Sequence, residues 1–432
     1  MRSLLLAGLM CSAALVSGCG GGPSAVPEAL PDMQIADVQI PDTPTVNERV
    51  TVNDGKALAE DQGDRVVVTA MRSALRTGNL DAYLKALSDA SCPRGTPSRA
   101  GEAIVLTATP VLPNPADPSM RKVGQLAFVA AYELSSTDGR FGGLSGIEVL
   151  DDGNLLAISD AGHFVWIDLA KDGLTPTSAR IATMRDVNGQ PMAGIAGDSA
   201  EGLAVNGGMA LVSFEGNHRV LAFDTGKCGA AARGAPIVFG DYGLSLADAY
   251  EEARIAVDAG NGSEPLAVTK DWYVFAGIER KVGHLNSLSA RPIEAEPEFD
   301  LRVGVNAPEF AGVDLVPGVR GDGSARAFLI HRSPGSGAVW ITETDLIRFE
   351  PDSAKLRPSR GEMETRARQR YAELSWRELA QLDQADITDA FEGIAAKELS
   401  DGRMRLFLIS DDDYAAEKRT VLMVFDLARA SR

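Results

Sequence analysis

A short pattern recurs along the C-terminal two-thirds of this 432-residue chain: Glu-Gly-Leu-Ala or a variant, a tight turn, and an apolar strand ending in a carboxylate. Its clearest copy runs Glu201-Gly202-Leu203-Ala204-Val205, then Asn206-Gly207-Gly208, then Met209 to Phe214 and Glu215. Another runs Phe391-Glu392-Gly393-Ile394-Ala395, Asp401-Gly402, Leu406 to Ser410, and Asp411-Asp412-Asp413. Looser copies begin at Ser145-Gly146-Ile147, Glu264-Pro265-Leu266 and Ala311-Gly312-Val313, and end at Asp160, Glu279 and His331. The Asn-Gly and Asp-Gly pairs accept the positive φ that a tight hairpin demands, so each copy reads as two antiparallel strands.

Hairpins repeated at this spacing predict an all-β fold, a β-propeller, whose four-stranded blades take ~40–50 residues each. Five copies give five blades. A sixth is expected from residues 124–134 together with Val421 to Phe425, the two ends of the domain pairing to close the ring. The expectation is therefore six blades within a range of five to seven. Between the last two copies, Ala367, Tyr371 and Leu374 share one helical stripe, which predicts a helical insertion near 355–385.

The chain before the propeller divides in three. Residues 1–19 read as a lipoprotein signal peptide: Arg2, then an apolar stretch from Leu4 to Val16 too short to span a bilayer, then the lipobox Val16-Ser17-Gly18-Cys19. Cys19 is the expected lipidation site and membrane anchor. Gly20 after it gives no signal for inner-membrane retention, so the expected location is the cell envelope, at the outer membrane facing the periplasm. Residues 20–55 are a flexible tether beginning Gly20-Gly-Gly-Pro. Residues 56–123 form a small α-rich region, with helices expected over Val66–Leu75 and Leu80–Leu87, and the propeller fills 124–432.

Lys and Arg total 42 against 60 Asp and Glu, a net charge of −18, which excludes a nonspecific nucleic-acid binder. Beyond the signal and the anchor only Cys92 and Cys228 remain. In an oxidising compartment they either form a disulfide or stay as two thiols, and the bridge is the expectation.

A hairpin brings the start of its first strand beside the end of its second. That pairs Glu201 with Glu215, Glu264 with Glu279, and Glu392 with Asp411, with Ser145 and Asp160 as a weaker version. If these hairpins are the inner strands, the acids converge on one mouth of the channel. Crowded carboxylates raise their pKa or bind a cation, and oxygen ligands at irregular spacing suit Ca2+. The expected ligands are Asp160, Glu201, Glu215, Glu264, Glu392 and Asp411. The plainer alternative is that Glu-Gly only shapes a turn, its carboxylate accepting backbone N–H groups. His218 follows Glu215 and His163 follows Asp160, each in a loop expected to face solvent; His218 with Glu201 is the candidate catalytic pair. No Gly-x-Ser-x-Gly nucleophile elbow occurs.

At these residues the chain resembles the bacterial phytase-like family, described as esterase-like activity of phytase. The matching stretches are Phe141-Gly-Gly-Leu-Ser-Gly-Ile147 with Ile158-Ser-Asp160, Asp198-Ser-Ala-Glu-Gly-Leu-Ala204 with Ser213-Phe-Glu-Gly-Asn217, and Phe391-Glu-Gly-Ile-Ala395 with Leu408-Ile-Ser-Asp-Asp-Asp413. The resemblance spans about residues 138–430 and implies a propeller and hydrolysis of a carboxylic ester or phosphoester. The chain departs from the pattern at Pro265 and Ala311. The resulting expectation is an exported, lipid-anchored, Ca2+-dependent hydrolase of small-molecule esters or phosphoesters. The alternatives are a non-catalytic envelope-binding propeller and a lactonase-like propeller.

Overall fold

The first strands of five β-sheets stand side by side in a closed ring, and each sheet radiates outward from it. The computed structural model describes residues 62–76, 79–114, 117–192, 199–216, 218–237, 264–279, 286–293, 301–303, 309–317, 325–333, 338–346, 372–373, 376–382 and 390–429. Blade 1 runs outward through Leu144–Val149, Leu155–Ser159, His163–Leu169 and Pro176–Thr183. Blade 2 uses Ala200–Asn206, Met209–Phe214, Arg219–Asp224 and Ala235–Pro236. Blade 3 uses Leu266–Val268, Tyr273–Gly277, Asn286–Pro292 and Leu301–Val303, and blade 4 Glu309–Pro317, Ala325–Arg332, Val339–Leu346 and Trp376–Leu382. Blade 5 begins with Ala390–Glu398, Met404–Asp411 and Thr420–Leu427.

The outer strand of blade 5 is Leu126–Ser136, which pairs antiparallel with Thr420–Leu427. The two ends of the domain do meet, as the sequence suggests. They complete the fifth blade instead of making a sixth, because Val421 to Phe425 is the third strand of the hairpin pair begun by the last repeat. The first strand of blade 5 then packs on that of blade 1, and the ring closes at five.

The second strands are apolar without a break because both faces of each sheet are covered by a neighbouring blade. In blade 1, Leu155 and Ala157 pack toward blade 5 with Phe407 and Leu422, while Leu156 and Ile158 pack toward blade 2 with Phe214 and Phe223. This is the period-two alternation of a strand read from both sides. Five apolar clusters result, one at each blade interface, which independently fixes the number of blades among the described residues.

Two helices precede the propeller, Gln62–Arg76 and Leu80–Ser91. Met71, Tyr83 and Leu87 join the cluster between blades 2 and 3. Asn79 caps the second helix, its side chain accepting from the Ala82 N–H at 3.2 Å. Ser91 Oγ accepts from the Asp224 N–H at 2.7 Å and ties the helix end to blade 2. Beyond it, Cys92 and Cys228 are joined in a disulfide. The chain then lays Glu102–Ile104 on the outer edge of blade 1 and Leu106–Pro110 on that of blade 5. The region before residue 124 therefore supplies edge strands as well as helices.

The expected insertion is corrected in part. Trp376–Leu382 is the outer strand of blade 4, with Leu379, Ala380 and Leu382 buried against blade 5. Apolar residues at this spacing satisfy a strand that buries one face as well as a helix. Residues 355–371 of that expectation, and the signal peptide, Cys19 and the tether, lie outside the described residues. Among the described residues no helix is long and apolar enough to cross a membrane.

Candidate functional site

The Glu-Gly motif is a β-bulge. In blades 1, 2, 4 and 5 the pairing of first and second strand slips by one residue at Ser145-Gly146, Glu201-Gly202, Ala311-Gly312 and Glu392-Gly393. The residue before each glycine is left without a ladder partner at the start of the inner strand. The glycine is required by the next blade. A Cβ on Gly202 would lie 2.1 Å from the carbonyl oxygen of Glu264, and one on Gly312 would lie 2.2 Å from that of Glu392. A Cβ on Gly393 would meet the Ser145 carbonyl oxygen at 3.1 Å. The backbones of successive motifs thus touch around the ring. In blade 3 Pro265 stands at the glycine position and itself fills the space over Gly277.

The second strands deliver a matching set. Asp160, Glu215, Glu279, Arg332 and Asp411 all occupy the place just past the residue that faces the bulge or its equivalent. Four blades carry an acid there and blade 4 carries an arginine. Arg332 ion-pairs with Glu392 and lies 3.5 Å from Glu279, so one cation sits inside the acidic mouth. In sequence the fourth copy reads as ending at His331, one residue short of Arg332. His331 is a core residue, fully buried, stacked on Phe310 and hydrogen-bonded through Nε2 to Thr342 Oγ1 at 2.9 Å. Aligning the second-strand ends would have identified Arg332.

The carboxylates fall into two groups joined by Glu201. On one side Glu215, Glu264 and Glu279 each present an oxygen, the three within 4.8 Å of one another. Oε2 of Glu264 is buried and has no hydrogen-bond partner among the described residues. Burial, then the Glu279 charge, pushes the Glu264 carboxyl well above the usual carboxylate range, and burial raises Glu279. On the other side stand Asp160 and Asp411. Burial followed by the Asp160, Asp412 and Glu201 charges pushes Asp411 up to about 7. Burial also raises Asp160, whose Oδ1 is buried without a partner. Glu201 is pushed up to about 7 by burial and by the charges of Glu215 and Asp160, against a hydrogen bond from Ser199 and the pull of Arg332.

Of the six expected ligands, then, Glu215 and Glu264 come together with Glu279, which the expected set omitted. Asp160 and Asp411 form a second locus, and Glu201 lies between the two. Glu392 is the exception, because Arg332 binds it. His218 is also corrected. It is buried, not solvent-facing, at φ 46° in the turn after Glu215. His163 is buried as well, its imidazole pushed down by burial.

Asp412 has a structural task. Its Oδ1 accepts from the N–H of Gly143 at 2.7 Å and of Tyr414 at 3.1 Å, and its Oδ2 accepts from Thr420 Oγ1 at 2.9 Å. That clamps the last loop of blade 5 over the start of blade 1. Tyr414, at φ 51°, is brought over Gly143 by this clamp, and burial raises its phenol to about 12.

The donor set fits a hard divalent cation. Among the described residues it consists of carboxylate oxygens, with Glu264 Oε2 in the three-glutamate group and Asp160 Oδ1 in the second locus buried without a partner, and no thiolate or imidazole belongs to the three-glutamate group.

Comparison with known proteins adds a family. The model described as phytase-like, esterase-like activity of phytase, matches residues 139–414. No curated protein matches the chain. Among solved structures, the PQQ-bound aldose sugar dehydrogenase of Streptomyces coelicolor is 13% identical, with 66% of this chain and 95% of that one covered and a TM-score of 0.34. Glutaminyl cyclase of Myxococcus xanthus is 10% identical, with 76% and 100% covered and a TM-score of 0.34. An endo-arabinase of Bacteroides thetaiotaomicron is 9% identical, with 67% and 95% covered and a TM-score of 0.38. None of these three likenesses bears on the chemistry.

Proposed function

The chain belongs to the phytase-like family, and from that premise we propose that its acidic mouth hydrolyses a small-molecule ester or phosphoester with Ca2+ bound. The observation that carries this reading is Glu264: a buried carboxylate oxygen without a partner, grouped with Glu215 and Glu279. Leaving such an oxygen unpaired is costly, and a cation supplies the missing partner. Asp160 offers a second unpartnered oxygen near Asp411.

When bound, Ca2+ would polarise the ester oxygen and offset the repulsion between an acidic mouth and an anionic substrate. The chain's own groups do the rest. Glu201, buried beside Glu215 and Asp160 between the two acid groups, is the group placed to take a proton from water. Asp411, on the other side of it, is the group that can return a proton to the departing oxygen. Arg332 orients Glu279 and Glu392 and keeps one positive charge where a substrate oxyanion would arrive. The same reading keeps the protein at the cell envelope, tethered through the Val16–Cys19 lipobox.

Melting in EDTA and in millimolar Ca2+ is the direct test. Ca2+ should raise the melting temperature of the wild type, and Glu264→Gln should lose most of that rise. A panel of p-nitrophenyl phosphate, p-nitrophenyl acetate and a lactone should then show Ca2+-dependent hydrolysis that falls about a hundredfold or more in Glu201→Gln. No Ca2+ shift, with no hydrolysis of any panel member, would overturn the reading.

A further inference from the structure

A second site lies away from the acidic mouth, and its charge is opposite. A cleft of about 720 Å3 opens between the segment after Cys92, the outer part of blade 1 and the loop after Cys228. Arg94, Arg99, Arg140, Arg185 and Arg233 all line it, and Glu102 is the one acid among its lining residues. Glu102 is already engaged by Arg140, 2.7 Å away, and Arg140 is further neutralised by Asp138 at 2.8 Å. For Arg94, Arg99, Arg185 and Arg233 no carboxylate among the described residues lies within ion-pair distance.

Four arginines without a carboxylate partner among the described residues line one cleft of a chain whose net charge is −18. Their mutual repulsion is unfavourable unless an anion relieves it. The walls are also held in place. Cys92 and Cys228 are disulfide-bonded. The Arg99 N–H donates to the Cys228 carbonyl at 3.0 Å, and the Arg99 carbonyl accepts from the Ala230 N–H at 2.8 Å. The Arg233 N–H donates to the Ser91 carbonyl at 2.9 Å. Arg185 Nη1 donates to the Gly189 carbonyl at 2.9 Å. A Cβ on Gly189 would meet Arg233 Nε at 3.3 Å and Arg233 Nη1 donates to the Val187 carbonyl at 3.4 Å, so both side chains pack against the same turn at the cleft wall.

Forked donors of one charge in a cleft this size suit bidentate recognition of tetrahedral oxyanions. We propose that this cleft binds a phosphate-bearing polyanion, one with two or more phosphate groups, through Arg94, Arg99, Arg185 and Arg233. The site is independent of the hydrolytic reading and of any metal at the mouth.

The test uses tripolyphosphate in EDTA, followed by calorimetry, beside co-sedimentation with vesicles containing cardiolipin, whose headgroup carries two phosphates. The two arms separate a free polyphosphate from a lipid headgroup. Arg94→Gln with Arg99→Gln is the variant of choice, because both side chains are exposed and the fold does not depend on them. Wild type should bind in at least one arm, with an affinity that falls as salt rises. The double variant should bind about tenfold or more weakly, the loss expected from two charge-assisted contacts, while its melting temperature and its Ca2+ response stay those of the wild type. Arg233→Gln should weaken binding in the same arm. Binding in neither arm, or equal binding by wild type and double variant, would overturn the proposal.

Discussion

Gly202 lacks a side chain because the Glu264 carbonyl occupies the place where a Cβ would go. The neighbour is inner-strand backbone and cannot swing aside, so Gly202→Ala should lose more than about 2 kcal/mol or fail to fold. Gly139 has nothing within 4 Å of its would-be Cβ, and Gly139→Ala should change stability by less than about 0.5 kcal/mol. Urea titrations of the two variants compare them directly, and equal stabilities would refute the close contact. A different residue-scale effect belongs to Asp314 and Glu148, a buried acid pair on the inner strands of blades 4 and 1. Asp314 accepts from the N–H of Ala396 at 2.5 Å and of Leu315 at 2.6 Å, which ties the inner strand of blade 4 to that of blade 5. Burial pushes Asp314 from 3.8 up to about 7, and burial with the Asp314 charge pushes Glu148 well up. The folded protein therefore holds protons that the unfolded chain releases above 3.8, and stability falls as pH rises from there to about 7. Asp314→Asn removes its share of that titration, roughly 1–3 kcal/mol. Denaturation at pH 5 and pH 8 should show a smaller difference for the variant than for wild type; an unchanged difference would refute it.

At the scale of elements, the segment from the second helix to Leu106–Pro110 staples three parts of the propeller together. The helix packs on the cluster between blades 2 and 3, Glu102–Ile104 edges blade 1, and Leu106–Pro110 edges blade 5. The Cys92–Cys228 disulfide closes a loop of 136 residues across this arrangement. On the chain-entropy model a loop of that length is worth up to about 5 kcal/mol. Cys92→Ser with Cys228→Ser should therefore cost about 2–5 kcal/mol, read by urea denaturation with and without reductant. A loss that appears equally in wild type only after reduction would assign it to the bridge. The repeat itself was legible at this scale. Hairpins, turn residues and first-strand acids all stand in the sequence, because local turn chemistry sets them. The strand at Trp376–Leu382 was not legible as a strand, since its burial comes from blade 5 and not from its own neighbours in sequence.

The whole molecule closes because residues before the first repeat return to the last one, Leu126–Ser136 pairing with Thr420–Leu427. Closure leaves no open edge in the ring and makes the mouth a single shared site. Residues 59–432 form one compact unit. If Cys19 carries lipid, Cys19→Ala should move the protein from the membrane fraction to the soluble one and abolish incorporation of labelled palmitate. Its melting temperature should not change, and a soluble wild type would refute the anchor. The sequence by itself determined the hairpin repeat, the propeller class, the first-strand acids and the two cysteines free to pair, because each is written in local spacing and residue type. Only the tertiary structure decided the count of five, the pairing of Glu392 with Arg332, the grouping of Glu264 with Glu215 and Glu279, and the arginine cleft. Those depend on which blades touch, and contact across a closed ring joins residues that no local pattern relates.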